Sequence, residues 1–237
     1  MKEEILKGGR SKTIVVKIGN TVHRTVGKNS SFVHSLLKLL EEKDFRYAPK
    51  FLGMDEQGRE ILSFIDGDVP HTEINWTNES LKKMAQIIKE FHNATVCSNL
   101  AGEKEVVCHK DIAPWNIVVK NGIPVGLIDF DNVAPGNRID DFAYFLWTFL
   151  ELGNDSISIK TQVDKIKMLC DVYGYNNKSN LVDAIIEQQY IVLKMRKELT
   201  LNDSDQSARE FSASKVLQIN SEINWIKKNR LSIESAL

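Results

Sequence analysis

The sequence predicts an α+β fold, with a small antiparallel sheet in its N-terminal part and a mainly helical remainder. Three observations predict it. Residues 3–28 alternate short β-branched runs with turn residues: Gly8-Gly9 parts 4–7 from 13–18, and Gly19-Asn20 parts that run from 21–26, the pattern of short strands joined by tight turns. Apolar residues recur at helical spacing through 77–92 and much of 142–229. Between these regions, Asn121-Gly122 separates IVVK from PVGLI, and Asn-Gly is the strongest short hairpin signal because both residues tolerate positive φ.

The elements follow in order. The turn KGGRSK at 7–12 can cradle phosphate through its backbone N–H groups, and it reads equally as an ordinary hairpin turn. It is not a Walker A loop. Ser30 or Ser31 is expected to cap a helix with Phe32, Val33, Leu36, Leu37, Leu39 and Leu40 at its apolar positions. Pro49 precedes a second strand pair at 50–54 and 60–65, turned at DEQG. Thr77 or Asn78 starts an amphipathic helix whose Leu81, Met84, Ala85, Ile87, Ile88 and Phe91 form one face; His92 reads as capping or packing. A buried helix is expected over 142–152, with Trp147 and Phe149 in the core. Three more are expected over 159–173, 181–199 and 208–229. The basic cluster Lys194, Arg196, Lys197 reads as a solvated helix face.

Composition narrows the class. Apolar residues make up 42% and charged residues 27% of the 237, ordinary for a globular protein. A net charge of −1 gives no general attraction to nucleic acid. No apolar run approaches the length of a membrane span, and MKEEILKGGRSK has no apolar signal core. Three cysteines (Cys97, Cys108, Cys170) without framework spacing point to a reducing cytoplasm. The expected partners exclude nucleic acid and membrane.

Chemistry concentrates in VCHKDIAPWNIVVKNGIPVGLIDFD, residues 107–131. In a hairpin turned near Asn121, a loop at 121–124 sets Asn116 directly opposite Asp129, and a tighter loop shifts them by one position. Asp111 lies five residues upstream of Asn116 in a proline-containing loop. Three oxygen-bearing side chains then converge on one spot, and such hard ligands suit Mg²⁺, which takes one or two protein ligands and leaves the rest of its shell to phosphate and water. Singly, Asp111 reads as a loop cap and Asn116 as a turn residue; together they read as a phosphoryl-transfer site. Trp115 and Phe130 read as packing residues, and Cys108 as a small buried hydrophobe.

HKDIAPWN resembles the catalytic loop of kinases, and IDFD the metal-binding motif that follows it. Pro114, the Asp129-to-Asp131 spacing and DDFA at 140–143 make the chain similar to the aminoglycoside phosphotransferase and choline-kinase-like family. The resemblance implies a protein-kinase-like two-lobe fold, with a nucleotide-binding lobe over 1–66 and a catalytic and acceptor-binding lobe over 67–237. It implies Asp111 as base or orienter for the acceptor hydroxyl, and Asn116 and Asp129 as Mg²⁺ ligands. His109 and Asp141 would support the loop, and Asp131 the metal or the loop. Arg24, or else Lys17, would grip the α- and β-phosphates, and backbone groups near Ser63, Phe64 and Ile65 would meet adenine. The chain departs from the family pattern at two places. The helix after 30 carries no glutamate on its first turns to pair with that cation, and Val33-His34 stands there instead. Lys110 replaces a small residue, as a cation near phosphate or a solvated side chain.

The reaction expected is transfer of the γ-phosphate of ATP (or GTP) to a hydroxyl of a small-molecule acceptor. The alternative is a nucleotide-binding pseudokinase that regulates or scaffolds, motivated by the missing helix glutamate. A protein kinase is disfavoured because no Ala-Pro-Glu segment follows the metal motif. Residues 151–237 carry 12 Asp/Glu and 12 Lys/Arg, a balance that argues against a pocket dedicated to polycations.

Overall fold

The short β-branched runs near the N-terminus pair into one sheet. A computed structural model describes residues 3–6, 15–70 and 76–237, apart from the side chains at 178 and 236; the turn at 7–12 lies outside them. Strands β1 (Glu3–Ile5), β2 (Val15–Ile18) and β3 (Thr21–Thr25) are followed by helix α1 (Ser30–Glu42), then β4 (Phe51–Met54) and β5 (Arg59–Ser63). The five strands are antiparallel in the order β1-β2-β3-β5-β4. Because β5 inserts beside β3, Arg24 and Glu60 become cross-strand partners.

Helix α1 begins at Ser30, but Asn29 takes the cap position in place of the expected serine, and its amide donates to Val133 O at 3.0 Å. Val33, Leu36, Leu37 and Leu40 are buried as the periodicity predicts. Helix α2 (Asn78–Thr95) starts at the predicted place, with Thr77 Oγ1 accepting from Ser80 N–H. Its Leu81, Met84, Ile87, Ile88 and Phe91 are fully buried, each contributing about 1.5–3 kcal/mol over leaving it exposed.

The hairpin is β7 (Ile117–Lys120) and β8 (Ile123–Leu127). Asn121 and Gly122 have φ of 52° and 76°, the two positive values that a tight two-residue turn requires. Two strands escaped the sequence reading: β6 (Val106–Cys108) and β9 (Ala134–Gly136) pair antiparallel on either side of the hairpin. Backbone bonds tie the hairpin to what precedes it. Asp68 and Val119 exchange N–H···O bonds at 2.8 Å, and Leu127 N–H donates to Tyr47 O at 2.7 Å. Close approach at Gly67 permits the first of these: a Cβ there would lie 2.5 Å from Val119 O.

The chain divides into two compact units, Met1–Asp141 and Phe142–Leu237, and the break falls inside α3 (Arg138–Phe149). The 142–152 helix expected from sequence therefore starts four residues early, with Asp140 and Asp141 in its first turn. The second unit holds α4 (Ile159–Tyr173), α5 (Leu181–Asn202) and α6 (Gln206–Ala236). Helix α4 has the predicted limits, while α5 and α6 run past 199 and 229. Within this unit Phe142 stacks on Tyr173 at 4.3 Å, and Trp147 Nε1 donates to Glu222 at 2.8 Å.

Candidate active site

Three local devices shape the loop between β6 and β8. Proline at 114 holds Ala113 extended and opens a single 3₁₀ turn, Pro114–Asn116. That turn brings the Asn116 amide back onto Asp111: Nδ2 donates to Asp111 Oδ2 and to Asp111 O, each at 2.9 Å. The amide oxygen of Asn116 is then the atom left for a cation. Across the hairpin, a bulge between Val118 and Val119 changes the register. Asn116 O accepts from Ile128 N–H at 2.9 Å, so Asn116 opposes Ile128. Asp129 lies one residue beyond, not directly opposite as the wider loop would have placed it.

Asp129 itself is left-handed, with φ 64° and ψ 65°, a conformation that Asp tolerates better than most residues. It starts a 3₁₀ turn over Phe130–Asn132. Phe130 is buried against Phe91 and His109, as expected of a packing residue. Trp115 departs from that expectation and keeps 48% of its surface exposed.

Asp141 pins the loop. Fully buried, it accepts from His109 N–H at 2.6 Å, from Lys110 N–H at 2.8 Å and from His92 Nε2 at 3.1 Å. Burial alone would raise its pKa, but the hydrogen bond and charge of His92, with the nearby His109 ring and its backbone N–H, hold it below the usual carboxylate range. His92 thus has a role that sequence did not show. Lys110, at φ 64°, ends on Asp140 at 2.7 Å. His92, Cys108 and Asp141 bring a ring nitrogen, a thiol and a carboxylate within 4.8 Å of one another. The Asp141 oxygens are engaged by the loop, and burial pushes the Cys108 thiol well up, so this trio is an anchor. His109 is fully buried, donates from Nε2 to Ile128 O at 3.1 Å and leaves Nδ1 without a partner. Burial lowers its pKa despite nearby Asp141, Asp111 and Asp129.

Arg24 completes the cluster. Its Nη2 donates to Asp131 Oδ1 at 2.5 Å, its Nη1 to Asp131 Oδ2 at 3.3 Å, and Nη1 lies 3.8 Å from Asp129 Oδ1. On the opposite edge, Nε meets Glu60 Oε1 at 2.5 Å. The second Glu60 oxygen is 2.6 Å from His34 Nε2. Glu60 and His34 are the site residues that sequence missed. Glu60 lies within an expected strand, but only the β3–β5 register reveals its partner. Lys17 lies elsewhere, 4.0 Å over the Phe64 ring.

Asp129 and Asp131 are adjacent half-exposed carboxylates. Burial and the charge of Asp131 push the Asp129 carboxyl up, offset in part by Arg24. A divalent cation relieves that repulsion, and one amide oxygen with one or two carboxylates is a donor set Mg²⁺ accepts, so these residues fit the ion.

Of the residues expected at adenine, Ser63 ends β5 and Phe64 N–H already bonds to Asn20 O at 3.0 Å. All three also line a cavity of 290 Å³, together with Leu37 and Leu40 of α1. None of its lining residues belongs to the carboxylate cluster.

Residues 73–157 match the model of the phosphotransferase enzyme family. The trifolitoxin immunity protein of Rhizobium leguminosarum bv. trifolii is 30% identical over a 263-residue alignment that covers all of both chains. Solved structures share the protein-kinase-like fold. A spectinomycin phosphotransferase in complex with ADP and spectinomycin has a TM-score of 0.68 at 15% identity, covering 99% of this chain and 93% of that one. The ethanolamine kinase of Plasmodium vivax has a TM-score of 0.67 at 15% identity, with 92% and 81% covered. An aminoglycoside phosphotransferase in complex with gentamicin has a TM-score of 0.63 at 13% identity, with 94% and 93% covered. Among the described residues no helix is long and apolar enough to cross a membrane.

Proposed function

Since the chain belongs to the phosphotransferase enzyme family, we propose that it is a small-molecule kinase that moves the γ-phosphate of ATP (or GTP) to a hydroxyl of its acceptor. The observation that carries this reading is the meeting of Asp111, Asn116, Asp129 and Arg24 at the open end of one hairpin.

In this reading residues 1–66 grip the nucleotide, and residues 67–237 supply the loop and the acceptor site. Asp111 receives or orients the acceptor hydroxyl proton. Its carboxylate is aimed by the Asn116 amide on Oδ2, so little reorganisation is needed when the hydroxyl arrives. His109 stays neutral and holds the two strands of the site together through Ile128 O. Asp141 fixes the backbone at His109 and Lys110, two residues and one residue before the base. Arg24 is the phosphate cation in preference to Lys17, because its fork already faces the carboxylates. Asn116 and Asp129 would hold Mg²⁺, whose charge offsets that of the phosphoryl group in transfer.

The pseudokinase alternative loses its motive, because Arg24 has an acidic partner in Glu60 even though the helix supplies none. For the acceptor, the immunity protein relative directs attention to a hydroxyl-bearing toxin, and the balanced charge of 151–237 favours one that is not a polycation. Asp129→Ala is the direct test of the metal role. Calorimetry should show ATP binding that Mg²⁺ strengthens in the wild type and leaves unchanged in the variant; an equal Mg²⁺ effect in both removes Asp129 from the metal site.

A further inference from the structure

Glu60 is a carboxylate buried to 1% exposure in a five-stranded sheet. A charge in that position persists only when its oxygens are paired. Glu60 pairs both, Oε1 with Arg24 Nε at 2.5 Å and Oε2 with His34 Nε2 at 2.6 Å. The β3–β5 ladder does not need a carboxylate here, and a buried ion pair is often no more stabilising than apolar residues of the same size. Its consequence is directional. A guanidinium is planar, with five N–H groups in a fixed fork. Holding Nε on Glu60 aims the Nη1/Nη2 edge at Asp131 and Asp129.

We infer that Glu60 and His34 are positioning residues for the nucleotide phosphates, acting through Arg24; this rests on the kinase reading above. Glu60 stands on β5 directly opposite Arg24, so sheet register sets which edge of the fork is held. His34, on the first turns of α1, locks the far side of the carboxylate. Its ring is itself clamped, stacked on Phe51 at 3.8 Å and 15°. The Nη1/Nη2 edge is a bidentate face that takes two phosphate oxygens as readily as two carboxylate oxygens. Asp131 is its counter-ion in this structure, and a nucleotide phosphate competes for the same two nitrogens.

A double-mutant cycle separates this role from a merely structural one. Mg²⁺·ATP is titrated calorimetrically into wild type, Glu60→Gln, Arg24→Ala and the double variant, each shown to be folded by circular dichroism and thermal unfolding. Glu60→Gln should weaken binding about tenfold beside Arg24 and less than about twofold in the Arg24→Ala background, the non-additivity of two residues acting as one unit. If Glu60→Gln does not fold, His34→Gln, at a half-buried position, takes its place in the same cycle, with a weakening of about threefold that again vanishes without Arg24. Equal weakening in both backgrounds, or none in either, overturns the inference and leaves the kinase reading standing. A folded wild type with no affinity for Mg²⁺·ATP overturns the kinase reading itself.

Discussion

Arg24 on β3 and Glu60 on β5 face each other across the sheet and bond at 2.5 Å, while the far edge of the same guanidinium holds Asp131. One residue thus links the buried sheet to the acidic cluster. Lysine keeps the charge at this place but has no fork. Arg24→Lys should weaken Mg²⁺·ATP binding about tenfold and Arg24→Ala about a hundredfold, in keeping with charge-assisted hydrogen bonds of about 1.5–3 kcal/mol each. Wild-type affinity in the lysine variant, measured by calorimetry, contradicts a grip that depends on the fork.

Asp141 is fully buried and carries three donors. Asp141→Asn leaves them facing a neutral amide and should cost about 3–5 kcal/mol in urea unfolding at neutral pH. The wild-type carboxyl is held below its ordinary value of 3.8. Its stabilisation is therefore complete above that value and is lost as pH falls through the lower, folded-state pKa. An acid titration of stability should fall more steeply below pH 3.8 in the wild type than in the variant; parallel curves refute the anchor.

His109 behaves in the complementary way. Burial lowers its pKa from the ordinary 6.5, so below that pH the unfolded chain binds a proton that the folded chain refuses. Its contribution to stability is complete above 6.5 and is lost as pH falls toward the folded value. Nitrogen NMR should find the Nε2–H tautomer at neutral pH, donating to Ile128 O, with no titration between pH 7.5 and 6.5. A ring that protonates in that interval, or an Nδ1–H tautomer, contradicts the geometry.

What sequence revealed of this site follows the range of the interactions. The Asn121-Gly122 turn, the start of α2 at Thr77 and both limits of α4 are set within a few residues, and all were legible. The motif spacing of 109–131 was legible too, because the 3₁₀ turn at Pro114 and the hairpin are local structures. The one-position offset of Asn116 and Asp129 matches the tighter of the two expected loops; the two-residue turn alone would offset the pair by two, and the bulge at Val118 and Val119, which has no sequence signature, restores one. Strands β6 and β9 escaped because three-residue strands separated by the whole hairpin depend on pairing alone. The partner of Arg24 was sought on a helix, where His34 stands. The acidic residue comes from a strand 36 positions away, and only a sheet with β5 beside β3 brings it there.

In the proposed reaction Asp111 serves in phosphoryl transfer from nucleotide to hydroxyl, and turnover reads that role. Mg²⁺-dependent release of the γ-phosphate of ATP is followed for wild type and Asp111→Ala, with water alone and with a panel of hydroxyl compounds that includes toxins. Wild type should turn over ATP and be stimulated by one acceptor class. Asp111→Ala should lose about 10²–10⁴-fold in turnover while its Mg²⁺·ATP affinity stays close to wild type. Equal turnover by wild type and Asp111→Ala, or a wild type that binds Mg²⁺·ATP and never cleaves it, would contradict the account.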